Sequence, residues 1–169
     1  NRKISADEVT FNNVSFGFSK KDVLSDFNLD IKKGEKVIIS GKNGSGKSTI
    51  ANIICGFLNP KKGKVSSPDI NEISALIMPH NFIPGSFKDN IFSLKDMDTD
   101  YSSKLLNDFE LTECLDKNPD DLSAGQRKKA EIIMTLLKDS DFYIFDEPLA
   151  NVDIESKEII MSQIFDRTK

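Results

Sequence analysis

Val9 and Phe11, then Val14, Phe16 and Phe18, alternate with polar positions near the start of the chain. That period of two predicts antiparallel strands between residues 4 and 31. The pattern then changes. Val37-Ile38-Ile39 is a short continuous β-branched run, which predicts a strand, and Ile50, Ile53, Ile54 and Phe57 follow at helical spacing as one apolar face. Pro60 to Gly63 predicts a turn, and Ile73 to Met78 a second core strand. Residues 85 to 120 read as mostly helical, with Leu105, Leu106 and Phe109 forming one apolar patch. Ala130, Ile133, Met134 and Leu137 mark the face of a further helix. Phe142 to Phe145 is apolar throughout, as a fully buried parallel strand should be. Ile159, Ile160, Gln163 and Ile164 then mark a last helix.

The turn between the Val37 strand and the Ile50 helix carries chemistry. Gly41-x-x-Gly44-x-Gly46-Lys47-Ser48 fits G-x-x-x-x-G-K-[ST] and is followed by Thr49. Such a loop must turn several backbone N–H groups inward at phosphate oxygens, which needs tight, partly left-handed backbone that glycine adopts without steric cost. Lys47 supplies positive charge against the β- and γ-phosphates, and the Ser48 hydroxyl can ligate Mg²⁺. The helix that follows starts with its positive end at the phosphates. The residues therefore predict a nucleoside triphosphate site.

Two further strings refine this. Asp146 and Glu147 end the Phe142 strand, where sheets of this kind bind ligands. Asp146 is placed to hold the Mg²⁺ shell and Glu147 to polarise an attacking water. Leu122-Ser123-Ala124-Gly125-Gln126 opens a helix, with Ser123 as N-cap and Gln126 completing a capping box. On residues alone this is either a capped helix and nothing more, or a second anion site that closes over a triphosphate bound by a partner.

These strings, in this order, resemble the nucleotide-binding domain of an ABC transporter, and the likeness runs from about residue 4 to the end. Residues 41 to 49 resemble Walker A, with Gly41, Asn43, Gly44, Ser45, Gly46, Lys47, Ser48 and Thr49 around the phosphates. Leu122 to Gln126 resemble the signature, with Ala124 in place of its first glycine. Phe142 to Glu147 resemble Walker B and the catalytic glutamate, and Asp153 in Leu149 to Asp153 matches the D-loop aspartate. Phe18 stands where an aromatic stacks on adenine. The resemblance implies an α/β P-loop NTPase (RecA-like) fold spanning residues 1–169. It would have an N-terminal antiparallel β part (4–34), a parallel-sheet core (35–80 and 122–169) and a short inserted helical subdomain (81–121). It implies ATP and Mg²⁺ as ligands, with Mg²⁺ between Ser48 and Asp146. It implies ATPase activity, a second such domain (identical or not) bound head to tail, and the transmembrane domain of a transporter as partner, at the cytoplasmic side of the cell membrane.

The sequence departs from the family at three places. His80 sits where a Q-loop glutamine is expected; it either alters coupling at the metal and water or is a surface histidine away from the nucleotide. The family's switch histidine lies beyond Lys169, so weak hydrolysis by this stretch is the expectation. Gly85 to Ile91 resembles a run of exporter-type domains, but Asp116 to Asp121 replaces the glycine- and glutamate-containing loop usual before their signature. A non-transport ABC ATPase and an ATP-binding regulatory module with little turnover are the alternative readings.

Composition narrows the partners. The net charge is −4 and the pI about 5.1, which does not support a general nucleic-acid surface. The Lys20-Lys21, Lys32-Lys33 and Lys61-Lys62 pairs read as solvated turns. Apolar residues make up 38%, with no run long enough to span a bilayer. Cys55 and Cys114 lack metal-ligand spacing, and Cys55 reads as a small buried residue. Unpaired thiols suit a reducing cytoplasm.

Overall fold

The alternation near the start of the chain changes parity between Phe11 and Val14, so a regular strand could not bury both pairs of residues on one face. A computed structural model, which describes residues 8–19, 21–77, 82–94 and 98–167, resolves this with a bulge. Strand β1 (Val9–Phe16) pairs antiparallel with β2 (Leu24–Ile31), and the register shifts between Phe11 and Val14. Asn13 takes φ 50 there, and its N–H donates to Asn28 Oδ1 at 2.9 Å. Val9, Phe11, Val14 and Phe16 are all buried as a result. Phe18 lies past the end of β1.

The chain forms two compact units, residues 1–73 and 74–169. In the first, a third strand β3 (Lys62–Ser66) pairs antiparallel with β1, giving the order β2-β1-β3. The expected turn at Pro60 to Gly63 is thus partly strand. Gly63 is required within it, since a Cβ there would lie 2.4 Å from the Asn13 carbonyl oxygen. Lys61 is not merely solvated: its ammonium donates to the Ser19 carbonyl at 2.8 Å and meets Asp22 at 3.3 Å. Lys62 and Lys64 remain exposed, and lysines on an edge strand discourage pairing with other chains.

Helix α1 (Lys47–Ile54) buries Ile50, Ile53 and Ile54 as expected. The helix ends before Phe57, which is 64% exposed and not part of that face. The second difference is larger. Val37 to Ile39 belongs to neither sheet, and Ile38 is 78% exposed. An apolar run becomes a strand only where a neighbour offers hydrogen-bond partners, and β1 already has β2 and β3 on its two sides.

Among its described residues the second unit holds β4 (Ile73–Leu76, its first residue at the boundary), β5 (Phe142–Phe145) and four α-helices. The helices are α2 (Phe87–Phe92), α3 (Thr99–Asp108), α4 (Ala124–Leu137) and α5 (Ile154–Arg167). β4 and β5 form a parallel pair. Leu105, Leu106 and Phe109 are buried as anticipated, in one core with Leu76, Ile132, Ile133, Leu136 and Ile160. Each such side chain contributes about 1.5–3 kcal/mol by leaving water. Two buried polar groups stitch this core. Ser74 Oγ donates to the Thr135 carbonyl at 2.7 Å. Asn90 accepts from the Ile83 N–H at 2.8 Å and donates to the Ile83 and Ser86 carbonyls. β5 is only half-buried along its length, whereas full burial was expected. Among the described residues it has β4 alone as a neighbour, and an edge strand with one partner keeps one flank open.

Candidate nucleotide-binding site

The phosphate loop lies wholly in the first unit. Ser45 donates its N–H to the Lys42 carbonyl at 3.1 Å, closing a turn. Gly46 then enters α1 at φ 100 with no side-chain cap, and no acidic residue occupies the first turn. The helix start is therefore a positive, anion-seeking end. Lys47 Nζ reaches back across the loop to the Gly41 and Lys42 carbonyls at 3.1 and 3.2 Å. An ammonium has three donors, so one remains for a phosphate oxygen without breaking the brace. Gly41, Asn43, Gly44, Ser45 and Ser48 are exposed, while Thr49 is buried at the helix base. A cleft of about 310 Å³ opens beside the loop, lined by Val23, Leu24, Phe27, Ile39, Gly41 and Lys47 among others. That is at the lower end of ligand-sized cavities.

The same unit carries Phe18. It is 75% exposed and meets Phe16 edge to face, with ring centroids 5.1 Å apart. One ring face is left for another planar partner. The connection that bears it closes with a hydrogen bond from the Val23 N–H to the Phe16 carbonyl at 2.7 Å. Val23 and Leu24 then pack directly on Gly46. The aromatic loop and the phosphate loop thus share one support, a link the sequence motifs do not announce.

The second unit carries the acids. Asp146 donates its N–H to the Leu76 carbonyl at 2.8 Å, which ties the acidic end of β5 to β4. Glu147 follows with φ 49 and an exposed side chain. A left-handed glutamate costs energy that surrounding structure must offset, and such residues cluster at functional sites. The hydroxyl of Ser48 and the carboxylate of Asp146 are both hard oxygen donors of the type Mg²⁺ takes, one or two from protein and the rest from phosphate and water.

The start of α4 shows the expected capping box. Ser123 Oγ accepts the Gln126 N–H at 3.2 Å, and Gln126 Oε1 accepts the Ser123 N–H at 3.1 Å. The Ser123 hydroxyl keeps its own proton to donate. Leu122 is buried beneath, Ala124 is exposed at the first helical position, and Gly125 is half-buried. A Cβ on Gly125 would sit 3.7 Å from the Asn151 carbonyl, so the signature turn rests against the loop that leads to Asp153. Asp153 itself caps α5, accepting the Ser156 N–H at 2.8 Å and the Ser156 hydroxyl at 2.6 Å. These bonds hold its carboxyl below the usual range. His80 lies outside the described residues.

Sequence reasoning missed several residues. Glu131 on α4 is buried, which pushes its carboxyl above the usual range despite Lys128 and Arg127 nearby. Arg127 stacks over Phe82 at 5.4 Å and pairs with Asp120 at 2.8 Å, bracing the first turn of the signature helix. Basic residues just after the capping box were visible in the sequence, but their partners were not.

These features define a P-loop nucleotide-binding domain whose signature-like helix stands apart from its phosphate loop in the chain. The sequence profile of the ABC transporter family matches residues 24–150. An uncharacterized ABC transporter ATP-binding protein of Methanocaldococcus jannaschii is 32% identical over 148 residues, covering 82% of this chain and 24% of that protein. The lacticin-481/lactococcin-DR transport/processing ATP-binding protein of Lactococcus lactis is 28% identical, covering 97% of this chain and 26% of its own length. Among solved structures, a bacterial Atm1-family ABC exporter with ATP bound superposes with a TM-score of 0.83 at 22% identity, over 95% of this chain and 33% of that one. This chain belongs to the ABC transporter family as an ATP-binding domain. It spans about a quarter of the length of these curated relatives. Among the described residues no helix is long and apolar enough to cross a membrane.

Proposed function

We propose that this domain binds and hydrolyses Mg-ATP and that pairing with a second such domain powers an exporter-type membrane transporter from the cytoplasmic side. The observation that carries the reading is the phosphate loop: a left-handed Gly46 opens α1, and Lys47 stays braced over Gly41 and Lys42 with a donor to spare. The exporter direction draws support from the likeness in fold to the Atm1-family ABC exporter, and a transport role from the Lactococcus relative.

In this mechanism Phe18 stacks on adenine, and residues Gly44 to Thr49 hold the β- and γ-phosphates with Lys47. Ser48 and Asp146 supply the oxygens for Mg²⁺, which neutralises phosphate charge. Ser123 and Gly125 of one domain donate to the γ-phosphate on the other, the pairing being head to tail. Glu147 accepts a proton as water attacks the γ-phosphorus. The bond from that phosphorus to the β–γ bridging oxygen breaks, and ADP and inorganic phosphate leave. Domain separation afterwards moves the attached membrane partner.

Calorimetric titration of the protein with Mg-ATP, followed by light scattering of a Glu147→Gln variant with and without Mg-ATP, tests this. Binding in the first experiment and a nucleotide-dependent dimer in the second are expected. Folded protein that takes up no Mg-ATP would overturn the proposal.

A further inference from the structure

Arg167, in the last turn of α5, makes three polar contacts and one ring contact within the second unit. Its Nε donates to the Leu136 carbonyl at 3.2 Å and to the Tyr143 hydroxyl at 3.2 Å. Its NH2 meets Asp139 at 3.1 Å. Its guanidinium carbon lies 5.3 Å from the centre of the Tyr101 ring. Tyr143 in turn donates its hydroxyl proton to the Lys138 carbonyl at 2.9 Å and stacks along β5 with Phe145. One side chain thereby joins the end of α4, the start of β5, the end of α5 and helix α3.

The elements so joined are the ones that matter for chemistry in this unit. α4 follows its N-cap Ser123, and β5 leads directly into Asp146 and Glu147. β5 is half-buried and has one described strand neighbour, so apolar packing alone holds it loosely. Its acidic end is tied to β4 by the Asp146 N–H. Its other end is tied through the Tyr143 hydroxyl. The two ties are separated by three residues, roughly 10 Å of strand. A planar fork with several donors suits this role better than a point charge, because it serves three oxygens and one ring face at once.

We infer that Arg167 is a positioning residue that fixes the axial placement of β5, and with it Asp146 and Glu147, relative to the signature helix α4. The catalytic part of this inference rests on the function proposed above; the structural part does not. A misplacement of reacting groups by about 1 Å can cost on the order of a hundredfold in rate without changing ground-state binding.

The test uses the intact protein and the variants Arg167→Gln, Arg167→Lys and Tyr143→Phe, with two readouts. The first is hydrogen exchange of the amides from 142 to 147, compared with those of β1 to β3. The second is ATP turnover. Arg167→Gln is expected to speed exchange of the 142–147 amides at least about fivefold, leave β1 to β3 unchanged, and lower kcat about ten- to a hundredfold with KM within about twofold. Arg167→Lys should recover part of both effects, since it keeps a charge but not the fork. Tyr143→Phe should show the same direction with smaller size, and serves if Arg167→Gln does not fold. Unchanged exchange at 142–147 in both Arg167→Gln and Tyr143→Phe would overturn the inference. A parent protein that neither binds nor turns over ATP would instead overturn the proposed function, and the exchange readout would still decide the clamp.

Discussion

Gly46 lies against Leu24: a Cβ on Gly46 would sit 2.8 Å from Leu24 Cδ2 and 3.2 Å from Val23 Cγ1, so those side-chain ends would have to move. Gly46 also has φ 100. The backbone conformation favours glycine, and the Leu24 contact adds to that preference. Replacing it adds the left-handed cost of about 1–2 kcal/mol and an overpacking cost of about 1–3 kcal/mol. Gly46→Ala should lose at least about 2 kcal/mol in urea denaturation. Gly44, at φ 79 with open space around it, should lose only the backbone part. If the two variants lose equal stability, the Leu24 contact is not what holds the loop.

Lys47 braces the loop and is exposed enough to leave it. Hydrogen bonds between its charge and loop carbonyls at the surface contribute little to stability, whereas a phosphate oxygen opposite it is a charge-assisted partner. Lys47→Met is expected to weaken Mg-ATP binding by at least about tenfold in calorimetry, with a melting temperature close to that of the parent. Unaltered affinity would remove Lys47 from the site.

Ser123 has two separable roles, cap and phosphate donor. Ser123→Ala loses the cap, and should cost about 1 kcal/mol. Ser123→Asp keeps an acceptor for the Gln126 N–H and should retain stability. It also brings a negative charge where the partner's γ-phosphate is proposed to sit. Thermal unfolding together with dimerisation in the Glu147→Gln background separates the two. The expected pattern is an Ala variant that is less stable and also weakened in dimerisation, and an Asp variant that keeps the parent's stability but does not dimerise.

Two carboxyls give opposite pH behaviour. Asp153 is held below the usual range by its bonds to Ser156. Its stabilising effect is present above its unfolded-state value and is lost as pH falls through the lowered folded value. The stability difference between the parent and Asp153→Asn should therefore shrink in acid. Glu131 is pushed up by burial. Its ionisation opposes folding above the raised folded value, and protonation on lowering the pH through that value relieves the penalty. Glu131→Gln should melt higher than the parent near neutral pH, and the gain should fade in acid. Denaturation of both variants from neutral pH down to the carboxyl range decides the signs.

The parts of this protein legible in its sequence are those whose interactions are local. The capping box joins Ser123 and Gln126, residues three apart. Their geometry follows from a few dihedral angles, so residue type and spacing specify it. Helical faces such as Leu105, Leu106 and Phe109 were equally readable, because a period of 3.6 needs no knowledge of what lies opposite. Tertiary structure decided the rest. β3 could not be seen, because Lys62 to Ser66 looks like a polar turn until β1 offers it hydrogen bonds. The exposure of Ile38 and the half-burial of β5 ran against their apolar composition, since burial depends on which neighbours arrive and not on the strand itself. The contact of Gly46 with Leu24, and of Arg167 with partners 24 to 31 residues earlier in the chain, exist only once the fold closes loops whose entropy no local pattern encodes.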